Sequence, residues 1–154
     1  MKKVEIYTDG ACSGNPGVGG WAAILSYNRA EKEIYGYDKQ TTNNRMEMFA
    51  VIMGLRALKQ ACEVTVFTDS AYVSDAFLKN WIDNWQQNNW KTAAKADVKN
   101  ADLWKALLFE VKKHKVNFVR VKGHSDNEKN NRCDKLATGA IEEYLKLVKE
   151  NQKK

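Results

Sequence analysis

Several features that define other classes of protein are missing from this sequence. No stretch approaches the ~18 consecutive apolar residues of a membrane helix, and the segment after Met1 is strand-like and lacks the apolar core of a signal peptide. There is no low-complexity tract and no P-loop pattern. We therefore expect a folded, cytoplasmic protein that does not associate with membranes.

Cysteine is also scarce. The 3 cysteines, Cys12, Cys62 and Cys133, lie far apart, are odd in number and show no C-x-x-C spacing. This pattern argues against a disulfide framework and against a zinc site built from thiolates. A reducing environment is expected.

The overall composition is that of an ordinary globular domain with an excess of positive charge. The chain has 154 residues, of which 44% are apolar and 29% charged, and this length is close to the usual size of one domain. Lys and Arg number 25 against 19 Asp and Glu, which gives a net charge of +6. Such a balance favours a polyanionic partner such as nucleic acid.

Periodicity predicts a mixed α/β protein. Short runs of β-branched and aromatic residues predict strands at 4–8, 20–27, 31–37, 64–68 and 116–121. Helical spacing of apolar residues predicts helices at 43–61, 70–78, 101–113 and 131–149, followed by a charged, frayed tail at about 150–154. Residues 80–100, which are rich in Trp and fit neither pattern, are called the protrusion below.

Two aspartates end strands of similar sequence. Asp9 follows VEIYT and Asp69 follows VTVFT, so the two residues occupy equivalent strand positions. If the strands are parallel neighbours, both carboxylates emerge at the carboxyl edge of the sheet, where α/β proteins bind ligands. The alternative is that Asp9 begins a turn with Gly10 and that Asp69 caps the helix starting at Ser70.

Two further acids stand on predicted helices. Glu47 interrupts an apolar helix, where it must be paired or bound, unless it closes a capping box with Asn44. Asp134 opens the last helix, a common position for Asp. If these acids converge, they would raise one another's pKa unless cations neutralised them. Oxygen ligands favour Mg²⁺ or Mn²⁺ over Zn²⁺, and such ions usually act on phosphates.

The motifs resemble those of ribonuclease H of type I, the bacterial ribonuclease HI. They are TDG at 8–10, TTNNRME at 41–47, TDS at 68–70, KGH at 122–124 and NNRCD at 130–134, and the resemblance extends over about 3–147. It implies one ribonuclease H domain over 1–154. The implied fold is a five-stranded mixed sheet, an antiparallel meander plus parallel strands, flanked by helices.

The resemblance also implies an activity. This is endonucleolytic hydrolysis of the RNA strand of an RNA–DNA hybrid, giving 5′-phosphate and 3′-hydroxyl ends, with two Mg²⁺ ions for which Mn²⁺ can substitute. By analogy Asp9 bridges both ions, Glu47 and Asp69 complete one site, and Asp134 helps to hold the ion that activates water. His124 assists proton transfer or product release. A monomer without an obligate protein partner is expected.

Substrate contacts carry over by position. Cys12, Asn15, Asn43 and Asn44 match hybrid contacts, Asn15 and Thr42 lie near the matched DNA phosphate pocket, and Trp81, Asn84, Trp85 and Lys91 belong to the protrusion that binds substrate. For the tryptophans the alternative is packing of the protrusion on itself. For the whole chain, the alternative is a non-catalytic module that binds hybrids or double-stranded RNA through a degenerate site.

Three positions depart from the family pattern. The segment 80–90 has no Lys or Arg, whereas relatives usually carry a basic cluster there. Ala71 stands where relatives often have Gln, and the loop after His124 lacks a glycine that is common in relatives. These departures predict that some substrate contacts are altered.

Overall fold

The structure is a computed structural model that describes residues 1–122 and 127–152. Its strands are β1 (Lys2–Gly14), β2 (Gly17–Tyr27), β3 (Ala30–Thr41), β4 (Cys62–Thr68) and β5 (Lys115–Arg120). They form one sheet in the order β3-β2-β1-β4-β5. The pairs β1–β2 and β2–β3 are antiparallel, whereas β1–β4 and β4–β5 are parallel. The predicted fold class, a meander joined to parallel strands, is confirmed.

The helices are α1 (Asn43–Arg56), α2 (Ala71–Leu78), α3 (Trp81–Gln87), α4 (Ala101–Val111) and α5 (Glu128–Gln152). Three of them differ from the sequence prediction by more than two residues. α1 ends at Arg56, five residues before the predicted end at 61. The protrusion contains α3, which was not predicted and which buries Ile82. α5 begins at Glu128 and continues to Gln152, so it includes residues 150–152 of the predicted tail.

The sheet buries a different set of side chains on each face because strand residues alternate in direction. Val4, Ile6, Val64 and Val66 belong to the main core, together with buried residues of α1, α2 and α4. On the other face, Tyr7, Ala22 and Ile24 pack against Cys133 and Ala137 of α5. None of the helices in the described part of the chain has the length and apolarity needed to cross a membrane.

Candidate active site

Asp9 and Asp69 lie side by side at one edge of the sheet. Parallel pairing matches Tyr7 of β1 with Phe67 of β4, so Asp9 and Asp69 each follow two residues later. β1 continues through Asp9 to Gly14, and the interpretation of Asp9 as the start of a turn is therefore wrong. The capping interpretation of Asp69 is also wrong, because the side chain of Ser70 caps α2 by accepting from the Val73 N–H.

Glu47 points from α1 toward the same edge. The capping-box interpretation is wrong, because Thr42 is the N-cap of α1 and its Oγ1 accepts from the Arg45 N–H at 3.2 Å. Glu47 is only 4% exposed. The Gly10 N–H donates to Glu47 Oε1 at 3.1 Å and to Asp9 Oδ1 at 2.9 Å. One backbone group of β1 thus holds both carboxylates in place.

The three carboxylates form a compact group. One oxygen from each of Asp9, Glu47 and Asp69 lies within 4.8 Å of the others. Burial, and then the charge of Asp69, raise the pKa of Asp9 from 3.8 to about 7. Burial also raises the pKa of Glu47 well above its usual value, and the charges of Asp9 and Asp69 add to this effect. Without a cation, the group therefore retains protons near neutral pH.

The carboxylates line a cleft of about 300 Å³, called the acidic cleft. Asp134 stands in its wall, but outside the compact group of three. It lies in the second turn of α5, since that helix begins at Glu128, so it is not the first-turn residue that the sequence suggested. Its charge contributes to the raised pKa of Asp9. All four predicted metal-ligating acids therefore reach one cleft.

Three residues with polar side chains in the wall of the acidic cleft were not predicted as site residues, namely Lys122, Asn130 and Asn131. Asn130 Nδ2 donates to the Phe67 carbonyl at 3.4 Å, which ties the first turn of α5 to the end of β4. All three stand inside the motifs that carried the family resemblance. Their place in these motifs is the feature of the sequence that could have identified them as site residues, but only the tertiary structure shows that they face the acids. His124 lies outside the described residues.

Two of the predicted substrate contacts also line the acidic cleft, namely Cys12 and Asn43. Asn15 is next to them, because its Oδ1 accepts from the Asn43 N–H at 3.1 Å. Thr42 uses its hydroxyl to cap α1, and Asn44 is exposed in the first turn of that helix. The start of α1 and the end of β1 thus form one continuous surface beside the acids.

The protrusion lies apart from this surface. Trp81, Trp85 and Trp90 are partly buried against the main core, so their packing extends beyond the protrusion itself. The ring centroid of Trp85 is 5.5 Å from that of Trp104 in α4. Asn84 is exposed, and Lys91 pairs with Asp97. Of the described residues that line the acidic cleft, none belongs to the protrusion.

The donor set of the acidic cleft suits a hard divalent cation. Glu47 Oε2 is buried and accepts no hydrogen bond from any residue that the structure describes, which is costly for a carboxylate oxygen unless something else neutralises it. The oxygens of Asp9 and Asp69 lie within reach of the same point. Mg²⁺ and Mn²⁺ favour coordination by oxygen atoms alone, so this compact group of carboxylates fits such ions.

The raised pKa values predict how stability depends on pH without metal. Asp9 and Glu47 hold protons in the folded state that the unfolded chain releases, so the free energy of unfolding should fall as pH rises from about 4 to about 7. Burial lowers the pKa of His114, which gives the opposite trend. Urea denaturation with chelator, comparing the natural chain with Asp9→Asn, isolates the contribution of the site. Parallel pH profiles for the two proteins would contradict the prediction.

Comparison with protein families gives one match over most of the chain. The family model described as RNase H matches residues 1–142. A ribonuclease H of Acetivibrio thermocellus is 58% identical over 146 residues, which cover 95% of this chain and 99% of the relative. A ribonuclease H of Caldanaerobacter subterraneus subsp. tengcongensis is 57% identical over 143 residues, which cover 93% of this chain and 94% of the relative.

Solved structures show the same architecture. LC9-RNase H1, described as a type 1 RNase H with the type 2 active-site motif, superposes with a TM-score of 0.81 at 29% identity and covers 92% of this chain and 72% of its own. LC11-RNase H1 in complex with RNA/DNA hybrid gives a TM-score of 0.66 at 23% identity, covering 92% of this chain and 99% of its own. The second similarity concerns the fold alone.

Proposed function

The chain belongs to the ribonuclease H family and is an enzyme of that class, and from this premise we propose that it hydrolyses the RNA strand of RNA–DNA hybrids with two Mg²⁺ ions, leaving 5′-phosphate and 3′-hydroxyl ends. The observation that carries the proposal is the convergence of Asp9, Glu47 and Asp69 within 4.8 Å. A protein that only bound nucleic acid would gain nothing from buried carboxylates that repel phosphate.

Each acid has a distinct task in this proposal. Asp9 would help to hold both ions, while Glu47 and Asp69 would complete one site and Asp134 would contribute to the other from α5. When bound, the two ions supply the attacking nucleophile and stabilise the leaving oxygen. The Gly10 N–H fixes Asp9 and Glu47 before substrate arrives. His124 is proposed to assist proton transfer. Mn²⁺ is a possible substitute for Mg²⁺.

Substrate recognition is proposed to use two surfaces. Cys12, Asn15, Asn43 and Asn44 border the acidic cleft and would contact the minor groove, where the 2′-hydroxyl distinguishes RNA from DNA. The protrusion would hold the DNA strand with Trp81, Asn84, Trp85 and Lys91, and Thr42 would stand at a DNA phosphate. The packing of the tryptophans against the core supports a rigid platform, while their exposed edges are left for the substrate.

The organisation of the molecule is proposed to be simple. One ribonuclease H domain spans 1–154, and the protein acts as a monomer without an obligate partner. Its 3 cysteines, at 12, 62 and 133, are all unpaired, which supports a reducing, cytoplasmic environment.

A panel of duplexes tests the proposal. Matched RNA–DNA, RNA–RNA and DNA–DNA duplexes are incubated with the protein, with Mg²⁺ and with chelator, and the products are resolved on a denaturing gel. We expect cleavage of the RNA in the hybrid alone, and only with Mg²⁺. Sensitivity of the products to a 5′-phosphate-dependent exonuclease checks the ends. Binding of the hybrid without any cleavage would support the alternative of a non-catalytic binding module.

A further inference from the structure

A single arginine joins the edge of the acidic cleft to the base of the protrusion. Arg45 lies in the first turn of α1, between Asn44 and the catalytic Glu47. Its side chain donates to both carboxylate oxygens of Asp102 at 3.0 and 2.8 Å, and Nη1 also donates to Asn100 Oδ1 at 3.2 Å. Asn100 is the last residue of the protrusion, and Asp102 lies in the first turn of α4.

The contact continues inward through hydrogen bonds. Asn100 Nδ2 donates to the Tyr72 hydroxyl at 3.1 Å, and the indole Nε1–H of Trp104 donates to the same oxygen at 3.2 Å. The Tyr72 hydroxyl lies 3.5 Å from the Lys99 carbonyl, to which it donates. Trp104 is fully buried and packs against Trp85 of the protrusion. These bonds fix the end of the protrusion to α2 and α4 and, through Arg45, to the start of α1.

Stability alone is a weak explanation for this arrangement. The side chains of Arg45 and Asp102 are 33% and 65% exposed, and ion pairs that reach solvent in this way contribute little to folding. The same two helices are also joined at their other ends, where Arg56 pairs with the buried Glu110 at 3.4 Å. The pair at Arg45 differs because it lies between the two surfaces that a hybrid would have to contact together.

We propose that Arg45 is a positioning residue that sets the distance and angle between the acidic cleft and the protrusion, so that both strands of one hybrid are engaged together. This inference rests on the proposed function. Arg45 acts through Asn100 and Asp102 in this role, rather than by contacting a phosphate. A planar guanidinium is suited to it, because its fixed fork binds both oxygens of one carboxylate, which a lysine ammonium cannot reproduce.

The test measures steady-state cleavage of a hybrid by Arg45→Ala, Arg45→Lys and Asp102→Ala. Each change should raise KM by roughly tenfold, which corresponds to the loss of one ordered contact across the surface that binds the hybrid. The value of kcat should stay within about twofold of that of the natural chain, because the variants keep the contacts that stabilise the transition state. Mg²⁺ affinity of the free protein, measured by calorimetry, should not change. The matched control is Arg56→Ala, which breaks the other α1–α4 ion pair and should lower the melting temperature without raising KM.

Three outcomes would overturn the inference. If Arg45 contacts a phosphate directly, Arg45→Lys restores KM, Asp102→Ala does not raise it, and Arg45→Ala lowers the salt slope of binding by about 0.9. A KM increase in Arg56→Ala equal to that in Arg45→Ala would indicate a general loss of rigidity. Unchanged KM in all variants would remove any role for Arg45 in substrate binding. Failure of the natural chain to cleave the hybrid would instead reject the proposed function itself.

Discussion

Replacing Asp9 with asparagine is expected to abolish hydrolysis of the hybrid while leaving a folded protein that still binds it. The amide has nearly the same shape but no charge, and Asp9 is one of the three acids whose oxygens lie within 4.8 Å of one another. Loss of this ligand should lower kcat by at least about 1,000-fold, which corresponds to roughly 4 kcal/mol of transition-state stabilisation. Single-turnover cleavage with saturating enzyme and Mg²⁺ measures the effect.

The control for this change is Asp75→Asn. Asp75 lies in α2, where its carboxylate pairs with Lys79, the residue that follows the helix, and it does not line the acidic cleft. Cleavage by this variant should match that of the natural chain. Hybrid binding with chelator should be retained in Asp9→Asn, since a buried negative charge facing phosphate has been removed. Substantial Mg²⁺-dependent cleavage by Asp9→Asn would reject the role assigned to Asp9.

Replacing Gly10 with alanine should damage both the fold and the site. A Cβ at this position would lie 2.4 Å from the Glu47 backbone nitrogen and 2.5 Å from the Met46 carbonyl carbon. These are backbone atoms, so α1 must move away from β1 to make room. We expect a loss of about 2–4 kcal/mol in the free energy of unfolding, because the clash resembles severe overpacking of a core. Chemical denaturation measures this loss.

Activity should fall along with stability in Gly10→Ala. The Gly10 N–H holds Asp9 and Glu47 together, and displacement of α1 by about 1 Å is enough to lower kcat roughly 100-fold. Gly139→Ala is the control, since a Cβ there has no atom within 4 Å. In the interior of α5 it should stabilise the protein by about 0.5–1 kcal/mol with unchanged kcat. Equal stability of the two variants would contradict the close approach of β1 and α1.

The sequence predicted the positions of the acids in the strands, but it did not decide what each acid does. Matching the runs before Asp9 and Asp69 predicted equivalent strand positions, and the observed register confirms this. The ordinary alternatives for Asp9, Glu47 and Asp69 could not be rejected from sequence, because turns, caps and ligand sites use the same residue types. The continuation of β1 through Asp9 rejected the turn at that residue. The hydrogen bonds that make Thr42 and Ser70 the helix caps rejected the alternatives for Glu47 and Asp69.

The protrusion was the least predictable segment. Its tryptophans lie among Asn and Gln without helical or strand spacing, so α3 was missed. The reason is that both Trp85 and Trp90 pack against residues that are distant in the chain. Trp85 packs against Trp104, and Lys105 Nζ lies 5.5 Å from the ring centroid of Trp90 in a cation–π contact. Tertiary packing of this kind overrides local propensity and leaves no periodic signal.

By itself the sequence determined the sheet with its flanking helices, the chemistry of the donor set and the family whose motifs it carries. These follow from local alternation, helical spacing and the order of short motifs, which are properties of neighbouring residues. Only the tertiary structure decided that Gly10 clamps Asp9 to Glu47, that Lys122, Asn130 and Asn131 face the acids, and that Arg45 reaches Asp102. Such contacts join residues that are distant in the chain: Gly10 and Glu47 are 37 positions apart, and Arg45 and Asp102 are 57 positions apart. They form only because the elements that carry these residues pack closely together.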